Sequence, residues 1–113
     1  FNPKTISAAM GSIFRVPIVY VLDLAPVLEQ MHAKGIYTYA AHLKGQEYYD
    51  SFSFREPTAF LIGNEGNGLS KEISDQAGQY LKIPMEGRVE SLNASIAAAL
   101  LMYEAHRQRS ARL

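Results

Sequence analysis

Small and apolar residues mix from 5 to 14, with Gly11 near the end, and predict a short helix. Residues 16–22 are apolar and β-branched, with Pro17 near their start, and predict a buried strand or the entry to one. Asp23 then stands as an N-cap. Leu24, Val27, Leu28 and Met31 follow at helical spacing, Gly35 is placed to stop the helix, and Pro26 is tolerated in a first turn whose N–H groups lack helical acceptors. Residues 36–40 read as a strand. Residues 42–57 are polar and aromatic and read as a surface connection with room for one short strand. Residues 58–62 form a continuous apolar run, the pattern of a strand covered on both faces, and lead directly into a glycine-rich loop at 63–68. A short helix is expected at 70–77, stopped by Gly78, then a strand at 80–83 ended by Pro84. The longest helix is expected at 91–109. Leu92, Ile96, Ala99, Leu100 and Tyr103 share one face, and Ala94, Ala98, Leu101, Met102 and Ala105 fill most of the remainder. A helix apolar nearly all round is buried or packs on a second subunit. Its basic end, with His106, Arg107, Arg109 and Arg112, suits the negative pole of the helix dipole.

Strands alternating with helices predict an α/β domain with a mostly parallel sheet and flanking helices. Ligands of such sheets bind at the carboxyl ends of the strands, where both the 63–68 loop and the 84–91 segment lie. The chain's 113 residues suffice for one domain. Eleven basic side chains against eleven acidic ones leave no net charge, so a nucleic-acid partner has to be argued from motifs and not from charge. With no cysteine, disulfides, thiolate metal sites and cysteine nucleophiles are excluded, and a reducing, cytoplasmic setting is expected. There is no apolar run of membrane-spanning length. His32, His42 and His106 are scattered without metal-ligand spacing, and no Ser-His-Asp set can be assembled. The opening Phe1-Asn2-Pro3-Lys4 is no signal peptide and has no initiator Met; it reads as a chain cut from a longer protein.

Two segments carry chemistry. The first, Gly63-Asn64-Glu65-Gly66-Asn67-Gly68, places three glycines in six residues after a buried strand, which lets a backbone approach a ligand closely. Gly63 and Gly68 have the end-to-end spacing of a Walker A loop, but Leu69 stands where its Lys belongs, and the spacing does not fit G-x-G-x-x-G. A plain strand-to-helix turn would also explain the glycines. The second segment runs from Ile83 to Ser95. Ser91 is a good N-cap for the long helix, and capping alone would account for it. Asn93 then falls in the first turn, where helix stability has no use for Asn.

Together the segments are far more specific. FLIGNEGNGLS at 60–70 and IPMEGRVESLNASIAAALLMYEAHRQR at 83–109 resemble the second and third signature motifs of the SpoU (TrmH-like) family of the SPOUT methyltransferase superfamily, and NPKTISAAMGSIFRVPIV at 2–19 resembles the segment that joins the first motif to the second. The resemblance spans essentially the whole chain, and identifies residues 1–113 as a partial SPOUT methyltransferase domain. It implies an α/β fold with a C-terminal trefoil knot, S-adenosylmethionine as cofactor, methyl transfer to a ribose 2′-hydroxyl of ribosomal or transfer RNA, and a homodimer with the 91–109 helix at or beside the interface. Carried onto this sequence, Gly63 would line the ribose and methionine side and Ile83 and Leu92 would meet the adenine. Asn64, Gly66, Gly68 and Met85 would share that pocket. Glu65, Ser91 and Asn93 match the polar positions beside the reacting centre. The family's first motif, with the Arg credited with activating the hydroxyl, is missing from these residues, and Arg15 does not take its place. The chain alone is therefore expected to be inactive. Two other readings compete: a non-catalytic dimerisation or RNA-docking module that kept the fold, and a nucleotide-phosphate binder using the glycine loop.

Overall fold

Three of the predicted apolar runs pair into one parallel sheet. A computed structural model describes residues 15–42, 45, 47–63, 68–83 and 94–110. Strand β1 is Tyr37–Ala41, β2 is Thr58–Leu61 and β3 is Gln79–Leu81, in the order β2-β1-β3, so β1 lies in the middle. Both pairings are parallel: Tyr39 lies opposite Phe60 on one side and Gln79 on the other. The helices are α1 (Ala25–Ala33), α2 (Lys71–Gln76) and α3 (Ala94–Arg109), with a 3-10 turn at Tyr49–Ser51. This is the α/β architecture that the alternation predicts.

Local chemistry sets the helix ends. Asp23 Oδ1 accepts a hydrogen bond from Ala25 N at 3.1 Å, so it caps the first turn of α1 although Leu24 is the boundary residue. At the other end Gly35 takes φ +78°, its N–H bonds to His32 O, and Ile36 N bonds to Met31 O. That is the Schellman arrangement, which needs a residue free to adopt positive φ. Ser70 caps α2, accepting from Ile73 N at 3.2 Å.

Alternation along β1 sends neighbouring side chains to opposite faces. Ala40 packs with Leu28 and Leu61, flanked by Met31, Ile73 and Tyr80, beneath α1 and α2. Tyr39 packs with Phe54, Leu81, Leu101 and Ala105 beneath α3. The 42–57 connection is thus more than the surface loop the sequence suggests. Phe54 is fully buried, and its ring meets Tyr39 at 5.1 Å and Phe60 at 4.9 Å, both edge-to-face. Polar neighbours mask this aromatic segment in a pattern reading.

The expected buried strand at 16–22 is not found. These residues are exposed, none enters the sheet, and Val19, Tyr20 and Leu22 are largely open to solvent. Pro17 offers no N–H to a ladder, and among the described residues no element is packed over the run, so its apolar character alone does not make it a core strand. The expected helix at 5–14 lies outside the described residues. So do 91–93; from Ala94 onward α3 follows its prediction. Its buried positions are Ala97, Leu101, Glu104 and Ala105, while Met102 (59%) and Tyr103 (74%) are exposed. The all-round apolar pattern therefore resolves into one face on the sheet and one facing outward.

The last turns of α3 are bound to the segment before β2 by side chains. Gln108 bridges two backbone groups: Phe54 N donates to its Oε1 at 2.6 Å and its Nε2 donates to Phe52 O at 2.9 Å. Arg109 donates to Phe54 O and Glu56 O. Glu104, only 8% exposed, accepts from Arg107 through both carboxylate oxygens at 2.8 Å and from Gln108 at 2.8 Å. The Arg107 guanidinium is the main reason its pKa falls from 4.5 to about 2; burial opposes the shift and Gln108 adds to it. A carboxylate depressed on folding contributes stability that is complete above its unfolded pKa, near 4.5, and is lost as pH falls toward about 2. Urea midpoints measured from pH 6 to pH 2 should fall less steeply below pH 4.5 in Glu104→Gln than in the native sequence. Parallel curves would remove Glu104 as the source of acid sensitivity.

Candidate functional site

The carboxyl ends of β2 and β3 lie on either side of the end of β1. Beyond β2, Gly63 opens the glycine loop. A Cβ built on Gly63 would stand 2.3 Å from Gly68 C and Leu69 N, and 2.6 Å from Gly68 Cα. No side chain tolerates that approach, so the two ends of the loop touch through backbone alone. Gly68 has open space around it but takes φ +65°, a conformation that suits glycine. The loop is thus a closed ring of backbone, with Leu69 anchored in the core under α2 and Ser70 capping that helix. The sequence pattern suggests glycine for approach to a ligand; the structure adds closure of the loop on itself.

Beyond β3 the chain is held on both edges. His42 N donates to Leu81 O at 3.0 Å from the β1 side. On the outer edge Lys82 N donates to Glu47 O and Tyr49 N donates to Lys82 O. The chain leaving β1 therefore passes the end of β3 and pairs on its far side. At Gly45, where a Cβ would lie 2.9 Å from Leu81 C, it runs directly against the β3 backbone. Ile83 follows, half-buried and packed on the cluster beneath α3.

Of the residues predicted for the site, Gly63, Gly68 and Ile83 are described. Gly63 and Gly68 are in contact. Ile83 lies beyond the strand on the far side of β1, two strand spacings or roughly 10 Å away in an ideal sheet. Asn64, Glu65, Gly66, Met85, Ser91, Leu92 and Asn93 lie outside the described residues. The sequence reading leaves His42 in a connection, yet it is the first residue past the middle strand. Its ring stacks on Tyr80 at 4.9 Å with 15° between planes. Only the strand order reveals that position, and strand order is not written in local pattern.

The surroundings are apolar and backbone-rich. Ile62 and Leu69 adjoin the described glycines, and Ile83 lies across the middle strand. Of the described lysines near these strand ends, Lys71 pairs with Asp75 at 3.3 Å and Lys82 lies over the Tyr48 ring at 6.0 Å. Among the described residues no cluster of His, Asp or Glu could hold a metal ion. This donor set suits a ligand recognised by main-chain groups and apolar contact, one that brings its own positive charge, better than a polyphosphate. A separate open groove of about 480 Å³ runs between β2 and α3, with Phe60, Ile62, Met102 and Arg109 among its walls.

Comparison with known proteins agrees with this arrangement. The SpoU rRNA methylase family model matches residues 1–103. A Bacillus subtilis protein assigned to the TrmH family of tRNA/rRNA methyltransferases is 38% identical over 103 residues, which cover 91% of this chain and 41% of that protein. Among solved structures, the SpoU methyltransferase AviRb from Streptomyces viridochromogenes in complex with S-adenosylmethionine superposes with a TM-score of 0.88 at 35% identity, over 96% of this chain and 45% of that one. An RNA 2′-O ribose methyltransferase superposes with a TM-score of 0.84 at 32% identity, over 95% and 41%. The chain thus spans less than half the length of each of these relatives. A family match of this extent, joined to a parallel sheet with a closed glycine loop at its carboxyl edge, makes this chain a member of the SpoU family of RNA methylases.

Proposed function

We propose that this chain forms the cofactor-binding part of an enzyme that transfers a methyl group from S-adenosylmethionine to a ribose 2′-hydroxyl of ribosomal or transfer RNA. The observation that carries the reading is the closed Gly63–Gly68 loop, set across the middle strand from Ile83 in surroundings without a phosphate-binding cation among the described residues. It is supported by the cofactor in the AviRb structure and by the likeness to a 2′-O ribose methyltransferase. When bound, S-adenosylmethionine supplies a methyl group activated by its positive sulfur. Gly63, Asn64, Gly66 and Gly68 would hold its ribose and methionine part through backbone groups, and Ile83, Met85 and Leu92 would enclose the adenine. Ser91 and Asn93 would orient the hydroxyl. Glu65 would take part in proton removal, but an ordinary carboxylate, with a pKa near 4, is a weak base at neutral pH. In the family that this chain resembles, an Arg of the first motif is credited with activating the hydroxyl, and this reading gives the main activating role to that Arg rather than to Glu65.

The same reading includes a C-terminal trefoil knot, for which the lodging of β3 between β1 and residues 47–49 is support. It also includes a homodimer through α3, supported by the outward apolar face that carries Met102 and Tyr103 beside the β2–α3 groove. It places the protein in the cytoplasm with its RNA. Among the described residues no helix is long and apolar enough to cross a membrane.

Calorimetry should show S-adenosylmethionine binding and no competition from ATP; tighter binding of ATP would sink the reading. Gly63→Ala, forced against the Gly68–Leu69 backbone, should lose at least tenfold in cofactor affinity. Gly68→Ala meets no atom and should instead cost about 1–2 kcal/mol of stability for its left-handed backbone. Light scattering should give twice the 12.6 kDa chain mass, and Tyr103→Glu should halve the assembly without loss of helical signal. An unchanged dimer would move the interface off α3. In a tritium-transfer assay on unmodified RNA, residues 1–113 alone should be inactive, while a chain extended through the first motif should methylate. In that longer chain Asn93→Ala should reduce the rate more than the affinity. Robust transfer by the short chain would show that the activating group lies within it.

A further inference from the structure

We propose that the ring of Tyr48 is a stacking platform for an unpaired base of the RNA, a neighbour of the nucleotide that is methylated. The inference rests on the RNA reading above and gives that partner a place on this chain outside the cofactor pocket. Proteins that select a site in RNA do so mostly in single-stranded loops and bulges, whose unstacked bases lie against aromatic rings. With no net charge, this chain has little long-range attraction for a polyanion, which raises the weight of such local contacts.

Among the described residues Tyr48 stands at the outer edge of the sheet, at its carboxyl end. It forms a parallel bridge with Lys82, the first residue past β3. The backbone is locked on both sides of the tyrosine: Lys82 N donates to Glu47 O at 2.9 Å and Tyr49 N donates to Lys82 O at 2.8 Å. The ring is nevertheless 48% exposed. Lys82 Nζ lies over it at 6.0 Å, the reach of a cation–π contact, and among the described residues no carboxylate pairs with that ammonium. The cation steadies the ring from one face. A lone exposed tyrosine is ordinary, and Tyr37, 57% exposed at the amino end of β1, is one. Tyr48 differs in its place, because Lys82 leads directly into Ile83 at the end of the sheet to which the reacting groups are assigned. Tyr48 and Gly63 are separated by three strand spacings, roughly 14 Å in an ideal sheet. Reacting atoms meet within about 3.5 Å, so a base on Tyr48 belongs to a neighbour of the methylated nucleotide and not to that nucleotide.

The test uses a short oligoadenylate and bulk unmodified transfer RNA as probes of the protein. In NMR titrations with oligoadenylate the ring protons of Tyr48 should shift upfield and those of Tyr37 should stay in place. Tyr48→Ala should weaken the binding of both RNAs roughly tenfold, within the range of one lost base–aromatic stack. Tyr48→Phe and Tyr37→Ala should bind as the native protein does. The salt dependence of binding should be the same in Tyr48→Ala as in the native protein, since a stack releases no counterions. Unchanged affinity in Tyr48→Ala while the native protein binds overturns the inference. So does an equal loss in Tyr48→Phe and Tyr48→Ala, which would put the hydroxyl and not the ring in contact. Failure of the native protein to bind either RNA would instead overturn the RNA reading, and the inference with it.

Discussion

The functional end of this domain depends on how β3 is held. One stretch of chain, residues 42–49, leaves β1 and meets β3 on both edges. His42 bonds to Leu81 on the inner side, and Glu47 and Tyr49 bond to Lys82 on the outer side. For this to happen the chain has to cross the end of β3 at backbone contact distance, and it does so at Gly45, where any Cβ would collide with Leu81. Tyr39 and its β3 partner Gln79 are 40 residues apart in sequence, so this is a long-range insertion and not a hairpin. Its effect is to fix the height at which Ile83, and whatever follows it, leaves the sheet relative to Gly63.

A second set of contacts holds the opposite end of the chain. Helix α3 packs Leu101 and Ala105 on the sheet, but apolar packing does not by itself fix rotation or axial position. The side-chain bonds do. Gln108 reads one N–H and one C=O of the Phe52–Phe54 segment, as a neighbouring strand would, and Arg109 takes the next carbonyls. Glu104 is buried at modest cost because Arg107 and Gln108 meet it from within the same helix. The start of the helix, directly after Asn93, is thereby tied to the segment that feeds β2 and the glycine loop. The segments at 60–70 and 83–109 thereby share one rigid frame.

Much of this was legible in the sequence, and what was not has particular physical causes. The strand expected at 36–40 is found at Tyr37–Ala41, and the continuous run at 58–62, the mark of a strand covered on both faces, is found at Thr58–Leu61. Asp23, Gly35 and Ser70 marked helix ends because capping is local chemistry. Residues 16–22 misled because apolar content records a demand for burial without saying what will meet it. Phe54 was missed because a single core anchor in a polar segment has no period to detect. His42 was missed for a different reason: its place depends on β1 being the middle strand, a fact of topology. The glycine loop was found, but half of its explanation was not. Spacing suggested glycine at Gly63; only the structure, where a Cβ there would stand 2.3 Å from Gly68 C, told that the loop itself needs it.

The absence of net charge then becomes informative. An RNA-modifying protein built around a polyphosphate site would need cations both for the backbone of its substrate and for its cofactor. Among the described residues the donor set at the strand ends is glycine backbone and aliphatic side chain, with Lys71 paired to Asp75 and Lys82 over the Tyr48 ring. A cofactor that carries its own positive centre asks for none. Several of the basic side chains cluster instead at the end of α3, where Arg107 and Arg109 are spent on Glu104 and on backbone carbonyls and act as structural groups. Both side chains thus act within the fold, in a chain that spans 41% of the length of its Bacillus subtilis relative. Among the described residues the strand ends thus offer main-chain groups and apolar surface, and the charged groups of α3 serve the fold.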